Sequence, residues 1–205
     1  GNFAFEIGDP TLESEHALGF DVAFRWRQPR VTGEVSYFLN DISHFIYRRL
    51  TGEVDDGLPV THFAAGDSRL QGVESHVDVR VLSALYVEGG VDYVRGELTT
   101  TGEALPRMPP LRGRIGLRYQ RDAFQAGGDL LIVGRQGRIQ GLETPTDGYN
   151  LLKLFATYGF TDASGRVLHT VTARLDNVTD AEYRNHLSYL KDLTSEMGRN
   201  LKILY

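Results

Sequence analysis

Apolar and polar residues alternate along this chain with a period of two, in one segment after another. Leu18, Phe20, Val22, Phe24 and Trp26 take one side while Ala17, Gly19, Asp21, Ala23 and Arg25 take the other, the mark of a strand with two unlike faces. Val31, Gly33, Val35, Tyr37 and Leu39 likewise oppose Thr32, Glu34, Ser36, Phe38 and Asn40. The pattern returns over 73–81, 85–93, 111–119, 124–132, 152–160 and 167–178, and a last run starts near Arg199. No segment carries a 3.6-residue stripe, so the chain predicts about nine strands and an all-β fold.

Soluble sandwiches and membrane barrels share such alternation. Strand length separates them: several runs sustain ten or more residues, where soluble strands centre on about five or six and a tilted membrane strand needs about 9–11. Connection length separates them again. The links are tight at Gln28-Pro29-Arg30, near Ser83, at Arg121-Asp122-Ala123 and over 161–165, and long over 48–68, 96–110, 136–148 and 179–197. Antiparallel up-and-down strands with short turns on one rim and large loops on the other alternate in this way; Greek-key crossovers do not. Trp26, Tyr37, Tyr47, Tyr93, Tyr119, Tyr158 and Phe160 fall near strand ends, where an interfacial girdle would put them.

Composition then removes other classes. With 22 Lys+Arg against 27 Asp+Glu and no basic run, nucleic acid is not the partner, because counterion release needs a concentrated cationic surface. The absence of Cys removes disulfides, thiolate metal sites and a cysteine nucleophile. A mean hydropathy of −0.27, with no run near the roughly 18 apolar residues of a spanning helix, excludes a helical membrane protein. The same value results when lipid-facing and lumen-facing residues alternate, so a transmembrane β-barrel fits it. The first residues show neither a basic stretch followed by an apolar one nor an initiating Met, so an internal piece of a longer chain is expected.

The ordered motifs of the chain resemble those of TonB-dependent outer-membrane receptors. Gly1-Asn2 followed by Asp9, Pro10, Leu12 and Glu15 resembles the family's Gly-Asp-Pro-x-Leu-x-x-Glu signature ahead of a barrel strand. Gln71-Gly72-Val73-Glu74 resembles its Gly-x-Glu opening of a lumen-facing strand. Leu105-Pro106-Arg107-Met108-Pro109-Pro110-Leu111-Arg112 is similar to its "LPRxPPxR" segment, and Thr146-Asp147-Gly148-Tyr149 to its "TxGY". The tail from Asn177 through Asp180, Tyr183 and His186 to Gly198-Arg199-Asn200 resembles its "NLTDxxYRNH…GRN" ending. These matches run from the first residues to the last. For Gly72, Glu74, Pro106, Pro109, Pro110, Gly148, Tyr149, Asn177, Asp180, Tyr183, Gly198, Arg199 and Asn200 the expected role is architecture: prolines hold a loop out of the ladder, Asn177 and Asp180 suit a turn, and Gly198 suits a sharp start to the last strand.

The resemblance implies a barrel of about 22 strands closed by a plug domain. Such a receptor sits in the bacterial outer membrane and takes up a scarce ligand with energy from the TonB complex. Its partners would be outer-membrane lipid, the plug, TonB and the cargo, with no resident cofactor. At roughly 23 residues per strand and connection, about 22 units require on the order of 500 residues, so residues 1–205 are expected to be the C-terminal portion of the barrel. The plug domain and N-terminal strands would then be absent from them. A passive outer-membrane channel is the second reading and a soluble β-rich binding module the third.

Candidate sites are few. Asp55, Asp56 and His62 share one long segment and offer hard oxygens with an imidazole to a divalent ion, although a solvated acidic loop also accounts for them. The run from His186 to Asp192 resembles tails of receptors of the zinc-uptake type, which favours a metal ion, metal chelate or siderophore as cargo. Asp78, Arg80, Asp92, Arg114, Arg118 and Asp129 are expected to face the lumen. His186 and Ser188 lack an orienting carboxylate or an oxyanion hole, so no enzyme is expected. Asn177-Val178-Thr179 matches a glycosylation sequon, which means little in a bacterial envelope protein.

Overall fold

The computed structural model describes residues 4–205; Gly1 and Asn2 of the opening motif lie outside the described residues. The strands are β1 (Phe5–Ile7), β2 (His16–Arg27), β3 (Val31–Asp55), β4 (Leu58–Arg80), β5 (Leu85–Leu98), β6 (Arg112–Arg121), β7 (Phe124–Val133), β8 (Tyr149–Thr161), β9 (Leu168–Asp176) and β10 (Asn200–Leu204). From β2 to β10 each strand pairs antiparallel with its chain neighbour. This is the nine-strand up-and-down meander that the alternation marks.

Because side chains alternate and the ladders are in register, each face of the sheet is uniform. One face carries Phe20 beside Leu39, Phe24 beside Val35, Val87 beside Leu117, Ile115 beside Leu130, and Leu154 beside Leu175. These side chains have nothing packed over them: Leu18 is 79% exposed and Ile203 69%. Apart from glycine and proline, only six apolar residues are buried among those described, namely Val60, Leu98, Ala104, Leu105, Val133 and Leu151. A soluble domain of this size would need far more, so the apolar face fits hydrocarbon rather than water. All six buried residues lie at the long-loop end.

Aromatic rings mark the rim on the short-turn side. Phe24 stacks on Trp26 at 5.8 Å, Tyr119 meets Phe124 at 6.3 Å, and Tyr158, Phe160, His169 and Tyr205 form a continuous row. Toward the other rim the outward face turns polar. Above the row that places Tyr37 and Tyr93 on either side of Val73, Arg69 pairs with Asp41 at 2.7 Å and Arg95 with Glu97 at 2.7 Å. Tyr47 belongs to neither row; it lies beyond this boundary, facing the loops.

The structure departs from the sequence expectation over 48–68. That segment is not a loop but the far half of a hairpin, with β3 25 residues long and β4 23. At about 3.3 Å per residue these arms run well past a hydrocarbon core of about 30 Å. The residues that suggested a loop are instead the devices of a long ladder. Gly52 lies in the register shift between Leu50 and Val54, Gly66 stands opposite Phe45 at the second shift, and Pro59 pairs with Val54 at the tip. The chain reverses at Asp56-Gly57, both with positive φ (46° and 76°), as a two-residue hairpin turn requires. β1 is a second departure. β5 stops opposite Ser68, leaving the β4 edge beyond it open, and Phe5–Ile7 fills that edge in parallel with Val60, Thr61 and His62.

Candidate functional site

The inward face at the level of the membrane is a lattice of ion pairs. Arg118 reaches Asp78 and Glu88, each at 2.7 Å, with its guanidinium 4.3 Å from the ring centre of Tyr86. Arg114 bridges Asp129 at 3.3 Å and Glu88 at 3.7 Å, and Arg112 stands 3.4 Å from Asp92. Arg80 donates to the Pro29 carbonyl at 3.2 Å. The pairs follow from register: Glu88 is cross-strand from Asp78, and Arg118 is cross-strand from Tyr86, the neighbour of Arg80. Beside this lattice, Arg25 and Glu34 (2.6 Å) border a groove of about 640 Å³ with Glu74, His76 and Asp92.

At the other end three long connections fold over the inward side instead of standing away from it. The β5–β6 loop turns back on Gly96, where an added Cβ would meet Met108 and Leu105 within 3 Å. Leu105 is buried there, and Gln136 Nε2 donates to the Met108 and Pro109 carbonyls at 3.0 and 3.2 Å. The β7–β8 loop reaches across to β3, where Gln140 Nε2 donates to the Arg48 carbonyl at 2.9 Å. The β9–β10 loop then lies on both. Arg107 Nη2 donates to the Leu187 carbonyl, and its guanidinium sits 3.5 Å from the Tyr189 ring centre. Lys191 Nζ donates to the Thr144 carbonyl, and the Thr144 hydroxyl donates to Asp192. Between these loops and β3–β4 lies a cavity of about 670 Å³. Its wall combines apolar groups (Ile46, Leu50, Phe63, Leu142) with Arg48, Arg107, Glu143, His186 and Lys191.

His186 is the buried centre of this cap, 2% exposed. Thr146 Oγ1 is 3.0 Å and Lys191 Nζ 3.4 Å from its Nδ1, while Nε2 is closed off without a partner. Burial, then the Lys191 ammonium, holds its pKa below the ordinary histidine value. Ser188 plays no part in that arrangement: its Oγ accepts the Leu190 amide at 3.3 Å, so the two residues form no nucleophilic pair.

The signature residues at the tail form the base of the cap. Asn177, at φ 49° and buried, accepts the Ala181 amide at 2.9 Å and donates to the Ala181 carbonyl at 2.8 Å. Asp180 Oδ1 accepts the Arg199 amide at 2.7 Å, and Arg199 Nε donates to the Val178 carbonyl at 2.9 Å. A Cβ at Gly198 would sit 2.7 Å from that same Asp180 oxygen, so the closure needs glycine. Asn200 begins β10 opposite Asp176. Tyr183 packs its ring 4.6 Å from Tyr149 at the head of β8, one residue after Gly148. Gly72 lies under the Phe38 ring, which a Cβ would meet at 2.5 Å. Pro106 lines the cavity, and Pro110 is buried just ahead of β6.

Asp55, Asp56 and His62 fall outside the cap. Asp55 and Asp56 form the tip of the β3–β4 hairpin, and His62 is cross-strand from Arg49 with Ile7 on its other side. Among the described residues no three His, Asp or Glu side chains gather as a metal site. The residues that do converge, Arg107, Thr144, Thr146 and Lys191 around His186, come from three loops. The sequence marks Arg107, Thr146 and the run from His186 to Asp192 as separate motifs, and nothing in it brings them together.

The family model "TonB dependent receptor-like, beta-barrel" matches residues 1–178. No curated protein matches by sequence. Among solved structures, the copper transporter OprC aligns over 94% of this chain at 21% identity and a TM-score of 0.81. The FrpB iron transporter of Neisseria meningitidis aligns over 98% at 15% identity and 0.71. The ferric enterobactin receptor PfeA of Pseudomonas aeruginosa aligns over 98% at 17% identity and 0.69. The alignments take in 32%, 32% and 33% of those proteins, so the chain spans about a third of each. With the meander, the two unlike faces and the family match in agreement, this chain belongs to the TonB-dependent receptor-like β-barrel family.

Proposed function

We propose that the chain is the C-terminal portion of a TonB-dependent receptor of the bacterial outer membrane that imports a scarce ligand, a metal ion, metal chelate or siderophore, by energised transport. It supplies barrel wall and extracellular loops. The plug and the TonB complex, which lie outside residues 1–205, would couple energy to opening. The observation that carries this reading is the cap: three long loops folded over the inward face around a cavity of about 670 Å³. A passive channel works best with an open mouth, and a folded cap obstructs it; a receptor gains from a cap that holds cargo before an energised step. The metal-bearing cargo class is supported by the copper and iron transporters among the structural neighbours.

The test is uptake by cells that express the complete receptor. Radiolabelled metal, offered free and as siderophore chelates, should accumulate in a strain with TonB and stay outside one without it. Equal accumulation in both strains would replace the proposal with a passive channel.

A further inference from the structure

The cap is fastened at a buried histidine beside a buried lysine. His186 and Lys191 are 2% and 7% exposed, and Thr146, which completes the contact, is also buried. The protonation state follows from donors and acceptors. An ammonium only donates, so with Lys191 Nζ 3.4 Å and the Thr146 hydroxyl 3.0 Å from Nδ1, that nitrogen takes the acceptor role. The proton of the neutral ring is therefore on Nε2, which has no partner and no solvent. A second proton has to enter at Nδ1, the atom on which both donors converge. It would displace the Lys191 contact, turn the Thr146 hydroxyl from donor to acceptor, and set an imidazolium against an ammonium where water cannot screen them.

Other charges around the ring do not offset this. Glu143 of the β7–β8 loop favours a charged ring, but its oxygens already accept the Arg107 amide at 2.7 Å and the Gln140 amide at 3.2 Å. Asp192 accepts from Thr144. Arg107 of the β5–β6 loop adds a further cation. On the β3 side Arg48 is paired with Glu6 at 2.7 Å, and Arg184 is engaged with the Lys191 carbonyl.

We propose that the His186–Lys191 pair is an acid-released latch: with His186 neutral it fastens the β9–β10 loop over the cavity, and protonation at Nδ1 frees that loop and opens the cavity. The significance for cargo rests on the uptake reading; the motion itself does not. The sign is fixed by linkage. The closed form disfavours the proton, so closure is fully present above the ordinary histidine value of about 6.5 and is lost as pH falls below it.

The test uses the complete receptor in detergent micelles, without cargo, following hydrogen exchange of a peptide covering 183–193 between pH 7.5 and 5.0. Rates are normalised to a β6–β7 peptide to remove the chemical pH dependence. Exchange in the wild type should rise toward the ceiling of about thirtyfold that an open-state histidine near 6.5 allows at pH 5. His186→Gln should stay flat over that range, and Lys191→Met should show a shallower rise because the repelling cation is gone. A flat wild-type profile overturns the latch, and so does a His186→Gln profile as steep as the wild type's. If His186→Gln fails to fold, a Lys191→Met slope equal to the wild type's overturns it alone. Since no cargo or energy source enters, failure here leaves TonB-dependent uptake standing, and failure of uptake leaves the latch standing.

Discussion

The inner wall and the loop cap both keep polar groups paired, by opposite means. On the wall, register alone does it: strands one or two apart present Asp78, Glu88 and Arg118 to one another. These groups are partly buried but keep 17–23% of their side-chain surface open to a lumen where water can replace a lost partner. In the cap the contacts join distant positions, Thr146 with His186 and Arg107 with Leu187, and they bury Asn177, His186 and Lys191 beyond the reach of water. The wall is therefore redundant and forgiving, while each cap contact is individually consequential.

The largest test of this division lies on the side of the wall that meets lipid. Leu130 faces outward beside Ile115 and Leu152, so Leu130→Arg should cost about 2–4 kcal/mol if the row lies near the bilayer midplane. A guanidinium unfolding titration of the complete receptor in lipid vesicles measures it. The same substitution at the inward Thr157, one strand away, should change stability by a small fraction of that. Equal losses would show that the two faces do not meet different solvents.

Next in size is the base of the cap. Asn177→Ala leaves the Ala181 amide and carbonyl without their partner in a buried site, at a cost of about 1–3 kcal/mol. The effect should be local. Limited proteolysis should find new cleavage within 181–197 while unfolding of the barrel is unchanged; protection equal to the wild type's would remove the staple from the account. The wall supplies the smaller counterpart. Arg118→Met takes the Arg118 partner from Asp78 and leaves Glu88 with Arg114, in a wet lumen, so a loss of about 1–2 kcal/mol is expected in the same titration. A loss larger than that at Asn177 would reverse the comparison.

This difference also explains what could be read from the sequence. The faces of β2 through β10, the alternation of short and long links and the inward charges were legible because a period of two survives any sequence that keeps one side apolar. The far half of the β3–β4 hairpin was not, since Gly52, Pro59 and Gly66 are the same residues a loop would use; only Asp56-Gly57 signals the turn. β1 escaped because three residues carry no period. The cap escaped for a deeper reason: its contacts span tens of residues between loops with no repeat. Asp55, Asp56 and His62 are close in sequence, but the hairpin separates them along its ladder: Asp55 and Asp56 stand at the tip, and His62 lies between Arg49 and Ile7.

The smallest effect isolates one cap contact that burial does not support. Tyr189 is 74% exposed, and its ring holds the Arg107 guanidinium at 3.5 Å while that side chain also donates to the Leu187 carbonyl. Tyr189→Leu removes the ring and keeps an apolar side chain, so the expected loss is that of an exposed cation–π pair, about 0.5–1 kcal/mol. Tyr189→Phe keeps the ring face and should keep nearly all of the interaction. Read as exchange protection of 183–193 at pH 7.5, Tyr189→Leu should fall two- to fivefold below the wild type and Tyr189→Phe should match it. The pH profile should keep its shape in both, because neither change touches Nδ1 of His186. If Tyr189→Leu instead matched the wild type, the closure of the β9–β10 loop would rest on its buried polar contacts alone, and the contrast between a forgiving wall and an exacting cap would be sharper still.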